Sequence, residues 1–229
     1  MKLRLLLFDL NVLSSIEVNY QEASKLMGEP NLQSNSNHSG TISQLFQVKK
    51  KIPEKDYEKL CAALDDIELG QINRFNLNPG VKNGIEAVKS MNLKIAVITE
   101  LGTKAVGAFF EKQGLKDFVS EILPRGLVGE NLQDRFKAGL EQMKIEPTET
   151  IFFCTRLSDL KAARSVGMRV IVLPSKNERI NQLLMEKPDG MIMSLEELPD
   201  LLSLETYRIS EEEKKSETPE PQMSSQNPS

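Results

Sequence analysis

The chain has 229 residues, a formal net charge of −4 and a pI near 5.3, with 39% hydrophobic and 27% charged residues. That length and apolar content suit one ordinary domain plus an insertion, or two small domains, and the acidic balance argues against nucleic acid, which would call for a basic face. The two cysteines, Cys61 and Cys154, are distant, lack CxxC spacing and fall in apolar patterns, so reduced core thiols are expected rather than a disulfide or metal framework.

The first element is the apolar run Leu3–Phe8, closed abruptly by Asp9. A short run this apolar predicts a strand buried on both faces, which implies a parallel sheet with helices above and below. Ligands of such sheets bind beyond the carboxyl ends of the strands, so Asp9 is either a functional acid or an acid that ends a strand and caps a turn. The opening run is too short for a signal peptide and has no small-residue cleavage site. No window approaches a membrane span, and a soluble, cytoplasmic protein without a membrane partner is expected.

From Ser15 to about Asn76 the pattern is helical. Ile16, Tyr20 and Leu26-Met27 suggest one helix, and Tyr57, Leu60, Cys61, Leu64 and Ile67 make an apolar stripe on a second, opened by Pro53. Between them Gly28–Gly40 is a polar loop holding His38, the sole histidine, to which no role is assigned. The sequon Asn37-His38-Ser39 has no meaning without secretion.

An α/β rhythm returns at Asn78-Pro79-Gly80. Val81, Ile85, Val88 and Met91 predict a helix, 94–99 a strand ending in Thr99, and Val106, Phe109, Phe110 and Leu115 a helix closed by Gly114. A strand is expected over 118–123, a helix on Leu132, Phe136, Leu140 and Met143, and a strand over 150–154. Leu160, Ala163 and Val166 then lead to Gly167 and a strand over 168–173. A helix over 180–185, a short strand over 190–193 and a last turn or two over 195–202 follow. Strands alternating with helices of this length specify a parallel, right-handed βαβ sheet. Beyond Glu205 the chain is Glu-, Ser- and Pro-rich with little to bury, which predicts a disordered acidic tail; Ser210 and Thr218 are potential phosphorylation sites in it.

Asp9, Thr99 and Asp159 thus converge on one sheet edge, and there the chain resembles the haloacid dehalogenase superfamily, most closely its phosphoglycolate-phosphatase-like branch with a helical cap. The resemblance rests on Phe8-Asp9-Leu10-Asn11, Asn78-Pro79-Gly80-Val81, Ile95–Thr99, Ser158–Met168 and Pro188–Pro199, in that order and at that spacing. It implies a Rossmann-like core formed by residues 1–14 and 77–204, a helical cap over 15–76 and the tail over 205–229. It also implies a nucleophile at Asp9, a phosphate-binding hydroxyl at Thr99, and metal contacts from Asp9 and Asp159. Phosphoryl transfer through an aspartyl-phosphate needs a second carboxyl group for the leaving oxygen, and cations to hold the phosphoryl oxygens.

Against that pattern several positions differ. The acid/base position is Asn11, whose amide cannot exchange a proton near neutral pH, and the small residues that follow it are replaced by Val12 and Leu13. Glu130 stands at the lysine position, and Thr155 replaces the main metal-binding acid. Asp9, Glu130 and Asp159 would then meet without a lysine. At an effective dielectric of about 20, two like charges about 4 Å apart repel by about 4 kcal/mol. Arg156 is a candidate substitute cation, with a solvent-facing Arg156 as the alternative.

Losing the acid/base residue costs roughly 10²- to 10⁴-fold in rate, and losing an electrostatic clamp roughly 10²- to 10³-fold more. The favoured expectation is a phosphatase-like scaffold without efficient catalysis, binding an unknown small phosphorylated ligand or a protein and needing no cofactor. The alternative is an active phosphohydrolase using Mg²⁺ and an Asp9 aspartyl-phosphate. Its displaced groups would come from Lys104, Lys116, Lys137, Arg125 or Arg135, with Glu100 as proton donor. A metal-independent dehalogenase is a third reading, against which Glu130 counts.

Overall fold

The computed structural model describes residues 2–15, 18, 53–88, 91–125, 131–174 and 180–204. Strand β1 (Leu5–Asp9) is buried along its whole length. It leads into the one-turn helix α1 (Leu10–Leu13) and the two-residue strand β2 (Ser14–Ser15). After helix α2 (Glu54–Gly70) and a 3₁₀ turn (Ile72–Arg74) comes β3 (Asn76–Leu77). The remainder alternates: α3 (Val81–Val88), β4 (Lys94–Ile98), α4 (Thr103–Gln113), β5 (Glu121–Leu123), α5 (Leu132–Met143), β6 (Thr150–Cys154), α6 (Leu157–Val166), β7 (Arg169–Val172), α7 (Ile180–Met185) and β8 (Gly190–Met191).

Six strands form one parallel sheet in the order β5-β4-β1-β6-β7-β8, with β1 at the centre. The period-2 pleat sends alternate β1 side chains to two cores. Leu6 and Phe8 join Val81, Ile85, Val106, Phe109 and Phe153 on one face. Leu5 and Leu7 join Phe136, Leu140, Phe152, Leu160 and Ala163 on the other. Phe8 stacks on Phe153 with centroids 4.6 Å apart, and Phe136 meets Phe152 edge-on at 4.8 Å. The doubly covered sheet expected from the apolar opening run is the observed architecture.

Gly114 and Gly167 end α4 and α6 at φ of 68° and 93°, the left-handed conformation that lets a helix close its last turn. Pro53 precedes α2, and Leu60 and Leu64 of its apolar stripe are buried. Several expected bounds change. The strand anticipated over 118–123 shortens to Glu121–Leu123, because 116–118 winds into a 3₁₀ turn at the sheet edge. The strand expected over 190–193 keeps two residues, and a 3₁₀ turn at Leu195–Glu197 continues as a helix over 198–204.

The stretch read as purely helical is flanked by extended chain: β2 and β3 pair antiparallel, Ser14 opposite Leu77 and Ser15 opposite Asn76. Two-residue strands are too short to leave a periodic signal, which is why the sequence hides them. Asn78 reinforces the return, its side-chain NH₂ donating to the carbonyls of Asn11 and Val12, each at 3.0 Å. The helix expected around Ile16–Met27, the loop with His38, and the tail beyond residue 204 lie outside the described residues, as does Glu130.

Candidate active-site cleft

The parallel register brings the carboxyl ends of β1, β4 and β6 side by side, Asp9 level with Ile98 and Phe8 with Phe153. Side chains that follow these strands therefore face one cleft, as in other open α/β sheets. It is lined by Asp9, Ile98, Thr99, Glu100, Leu132, Phe152, Arg156 and Asp159. Its cavity volume is about 10 Å³, room for about one water.

Asp9 is buried and acts as N-cap of α1, its Oδ1 accepting from the Asn11 backbone N–H at 3.2 Å. The Asn11 amide also donates to Asp9, at 3.0 Å to Oδ1 and 3.3 Å to Oδ2. Asn11 thus neutralises no charge; it holds Asp9 in place as a hydrogen-bond donor. Thr99 is buried after β4, and its Oγ1 accepts the Leu101 N–H at 3.1 Å, leaving the hydroxyl hydrogen available to the cleft.

Arg156 turns inward. Its Nε donates to Asp159 Oδ2 at 2.7 Å, and its Nη2 lies 3.7 Å from Asp9 Oδ2. One guanidinium therefore spans both carboxylates, which are 92% and 95% buried by side chain, from a position itself 23% exposed. Burial alone would lower the arginine pKa; Asp9 and Asp159 outweigh it and hold the cation charged. Asp159 is raised to about 6, first by burial and then by Asp9, against the downward pull of Arg156 and the Ser158 hydroxyl. A single cation shared by two buried acids leaves an excess negative charge, and the proton affinity of Asp159 reflects it.

An acid whose folded pKa lies above its unfolded value costs nothing below the unfolded value and carries its full cost above the folded one. Asp159 therefore lowers stability as pH rises through the window from 3.8 to about 6. The difference between the Asp159→Asn variant and the parent is expected to shift toward the variant across that window, by up to about 3 kcal/mol. Urea melts of both proteins at several pH values measure it. A pH-independent difference would show that Asp159 has an ordinary pKa.

Glu100 lies between the cleft and the interior. Its Oε1 pairs with Arg135 Nη1 at 2.9 Å, while its Oε2 is buried and has no hydrogen-bond partner. Arg135 is 1% exposed and also donates to the carbonyls of Thr99, Leu123 and Pro124, tying together the ends of β4 and β5. Arg125 is buried against Asp65 and Glu68 of α2. Lys104, Lys116 and Lys137 are exposed. None of these five bases lines the cleft. The suggestion that one supplies a displaced cation is therefore not met by the geometry: the arginines are consumed by other acids and the lysines face solvent.

Thr155 is buried after β6, at the position expected for the main metal-binding acid. Among the described residues no group of three or more His, Cys, Asp or Glu side chains is arranged to hold a metal ion. The space between Asp9 and Asp159 contains the Arg156 guanidinium, and this donor set does not fit a hard divalent cation that asks for several oxygen ligands. Asp65, Glu68 and the Glu100–Arg135 pair were not paired up by sequence reasoning. The available signal was Glu68 following Leu60 and Leu64 at i+4 spacing, an acid on the buried face of α2.

Comparisons with known proteins agree with the fold. A family model described as haloacid dehalogenase-like hydrolase matches residues 11–173. The chain is 22% identical over 154 residues to (S)-2-haloacid dehalogenase 2 of Pseudomonas sp. (strain CBS-3), covering 63% of this chain and 67% of that protein. It is 23% identical over 136 residues to the phosphoglycolate phosphatase of Nitrosococcus oceani, covering 57% and 59%. The crystal structure of a predicted phosphoglycolate phosphatase from Haemophilus somnus 129pt superposes with a TM-score of 0.65 at 21% identity, over 88% of this chain and 99% of that one.

Proposed function

The chain belongs to the haloacid dehalogenase-like hydrolases, and from that premise we propose that it is a catalytically impaired member, acting by binding a small phosphorylated ligand or a protein. The observation that carries this reading is the Arg156 guanidinium bridging Asp9 and Asp159, where the family's chemistry calls for a metal-bound phosphoryl group. Asn11 at the acid/base position and Thr155 in place of a metal acid support it. The arginine supplies positive charge without offering open coordination positions, so the cleft keeps its fold while Mg²⁺ loses its place. In this reading residues 15–76 form a cap over the cleft and residues 205–229 a solubilising tail. Among the described residues no helix is long and apolar enough to cross a membrane.

A second reading, an active phosphohydrolase attacking a phosphate monoester through Asp9, draws on two observations. Thr99 keeps a hydroxyl at the cleft, and Glu100 offers a carboxyl oxygen without a partner beside it. The relatives named as a phosphatase and a dehalogenase show what such scaffolds do elsewhere.

Titration calorimetry with Mg²⁺ and a panel of small phosphate monoesters separates the two. Little or no saturable heat is expected from millimolar Mg²⁺, with turnover well below the roughly 1 s⁻¹ at which ordinary enzymes begin. Faster turnover that disappears in Asp9→Asn would establish the active enzyme instead. Halide release from a haloacid without metal would establish the dehalogenase.

A further inference from the structure

Glu68 is 0% exposed, although it lies near the end of α2 in the inserted segment rather than in the sheet domain. A carboxylate so enclosed must be compensated, and its partners Arg125 and Gly102 belong to the core. Glu68 Oε1 pairs with Arg125 Nη1 and Oε2 accepts the Gly102 N–H at 2.8 Å. Arg125, whose side chain is 4% exposed, gives its other nitrogen to Asp65 one turn earlier on α2. Gly102 precedes α4, so Glu68 also meets the positive end of an eleven-residue helix.

The same groups reach the cleft. The Arg125 N–H donates to the Leu101 carbonyl at 3.1 Å, and its Nη1 reaches the Glu100 carbonyl at 3.4 Å. The Leu101 N–H in turn donates to Thr99 Oγ1. A Cβ at Gly102 would lie 1.9 Å from Asp65 Oδ1, so a larger residue there would push the Asp65 carboxylate aside. Thr99–Gly102 is therefore fixed on one side by the sheet and on the other by α2.

We infer that Glu68 and Arg125 are positioning residues that latch α2 onto the Thr99–Gly102 loop, so that α2 and this edge of the cleft open together and not independently. Lifting α2 would strand either a buried carboxylate or a buried guanidinium, and an ion pair with both partners enclosed has two discrete states, made or broken. The latch stands whether or not the cleft turns over a substrate, because it depends only on where the buried charges find their partners.

Hydrogen exchange of the full chain, followed by mass spectrometry, tests it. In Glu68→Gln, peptides covering 54–70 and 99–106 are expected to exchange faster by the same factor, about tenfold or more, while peptides covering 150–166 keep the parent rate. Acceleration in only one of the two segments, in neither, or throughout the domain would overturn the inference. Should Glu68→Gln fail to fold, Asp65→Asn alters the half-buried arm of the same network. It is expected to show the same paired acceleration with a smaller factor, and an unpaired response there counts equally against the latch.

Discussion

Replacing Arg156 with methionine is expected to destabilise the protein by about 3 kcal/mol at neutral pH and to make its stability depend on Mg²⁺. Asp9 and Asp159 keep side-chain exposures of only 8% and 5%, and the guanidinium is the cation both of them contact. Breaking a buried pair costs about 3–5 kcal/mol because the surviving charge stays enclosed. The lower figure applies here, since Arg156 sits at the mouth of the cleft, 23% exposed. Methionine preserves much of the packing of the arginine stem, so the loss reports on charge. Two agents should repair the variant. Protonation relieves it, because without the guanidinium the Asp159 carboxyl rises further above its ordinary value, and the cost vanishes as pH falls toward the unfolded range near 4. A divalent cation relieves it by entering the space the guanidinium has left. Urea melts at neutral pH, with and without millimolar Mg²⁺, are the measurement. A variant as stable as the parent and indifferent to Mg²⁺ would show that the arginine compensates nothing.

The parts of this molecule that announce themselves in the sequence are those set by burial. Leu5–Phe8 reads as a strand buried on both faces, because four large apolar residues in succession leave neither face of the pleat for solvent, and the strand is covered on both faces. Asp9 and Thr99 were readable as cleft residues for the same reason: one ends a buried parallel strand and the other directly follows one, and topology then decides where they go. What the sequence concealed are pairings between residues far apart in the chain. Arg125 and Arg135 were visible as cations near the end of β5, yet nothing local shows that one answers Glu68, 57 positions away, and the other Glu100. The direction of Arg156 was likewise open. It heads α6 without capping it, and its side chain turns inward to Asp159 three residues on and to Asp9 at the end of β1.

A graded reconstruction gives the second large effect. Asn11→Asp alone is expected to leave phosphatase activity flat and to lower stability. The new carboxylate would replace an amide that donates to Asp9 at 3.0 Å, putting two acids in contact with no metal between them. Combined with Thr155→Asp, Arg156→Ser and Glu130→Lys, the same change is expected to raise Mg²⁺-dependent phosphate release from a small monoester by at least about 10²-fold, the lower end of what a positioned proton donor contributes. The gain should be strongly non-additive. An acid/base residue has nothing to protonate until a phosphoryl group is held, and the holding charges act as one unit. Opening the cleft is part of the effect, since removing the guanidinium vacates the place between Asp9 and Asp159. Asp9→Asn in the reconstructed background is the control and should return the rate to the parent level. If Asn11→Asp alone brings substantial activity, the parent cleft already binds metal and phosphate, and the impairment assigned to Arg156 and Thr155 is wrong. If the full combination folds, binds Mg²⁺ and still releases no phosphate, the missing function lies in groups outside these four positions.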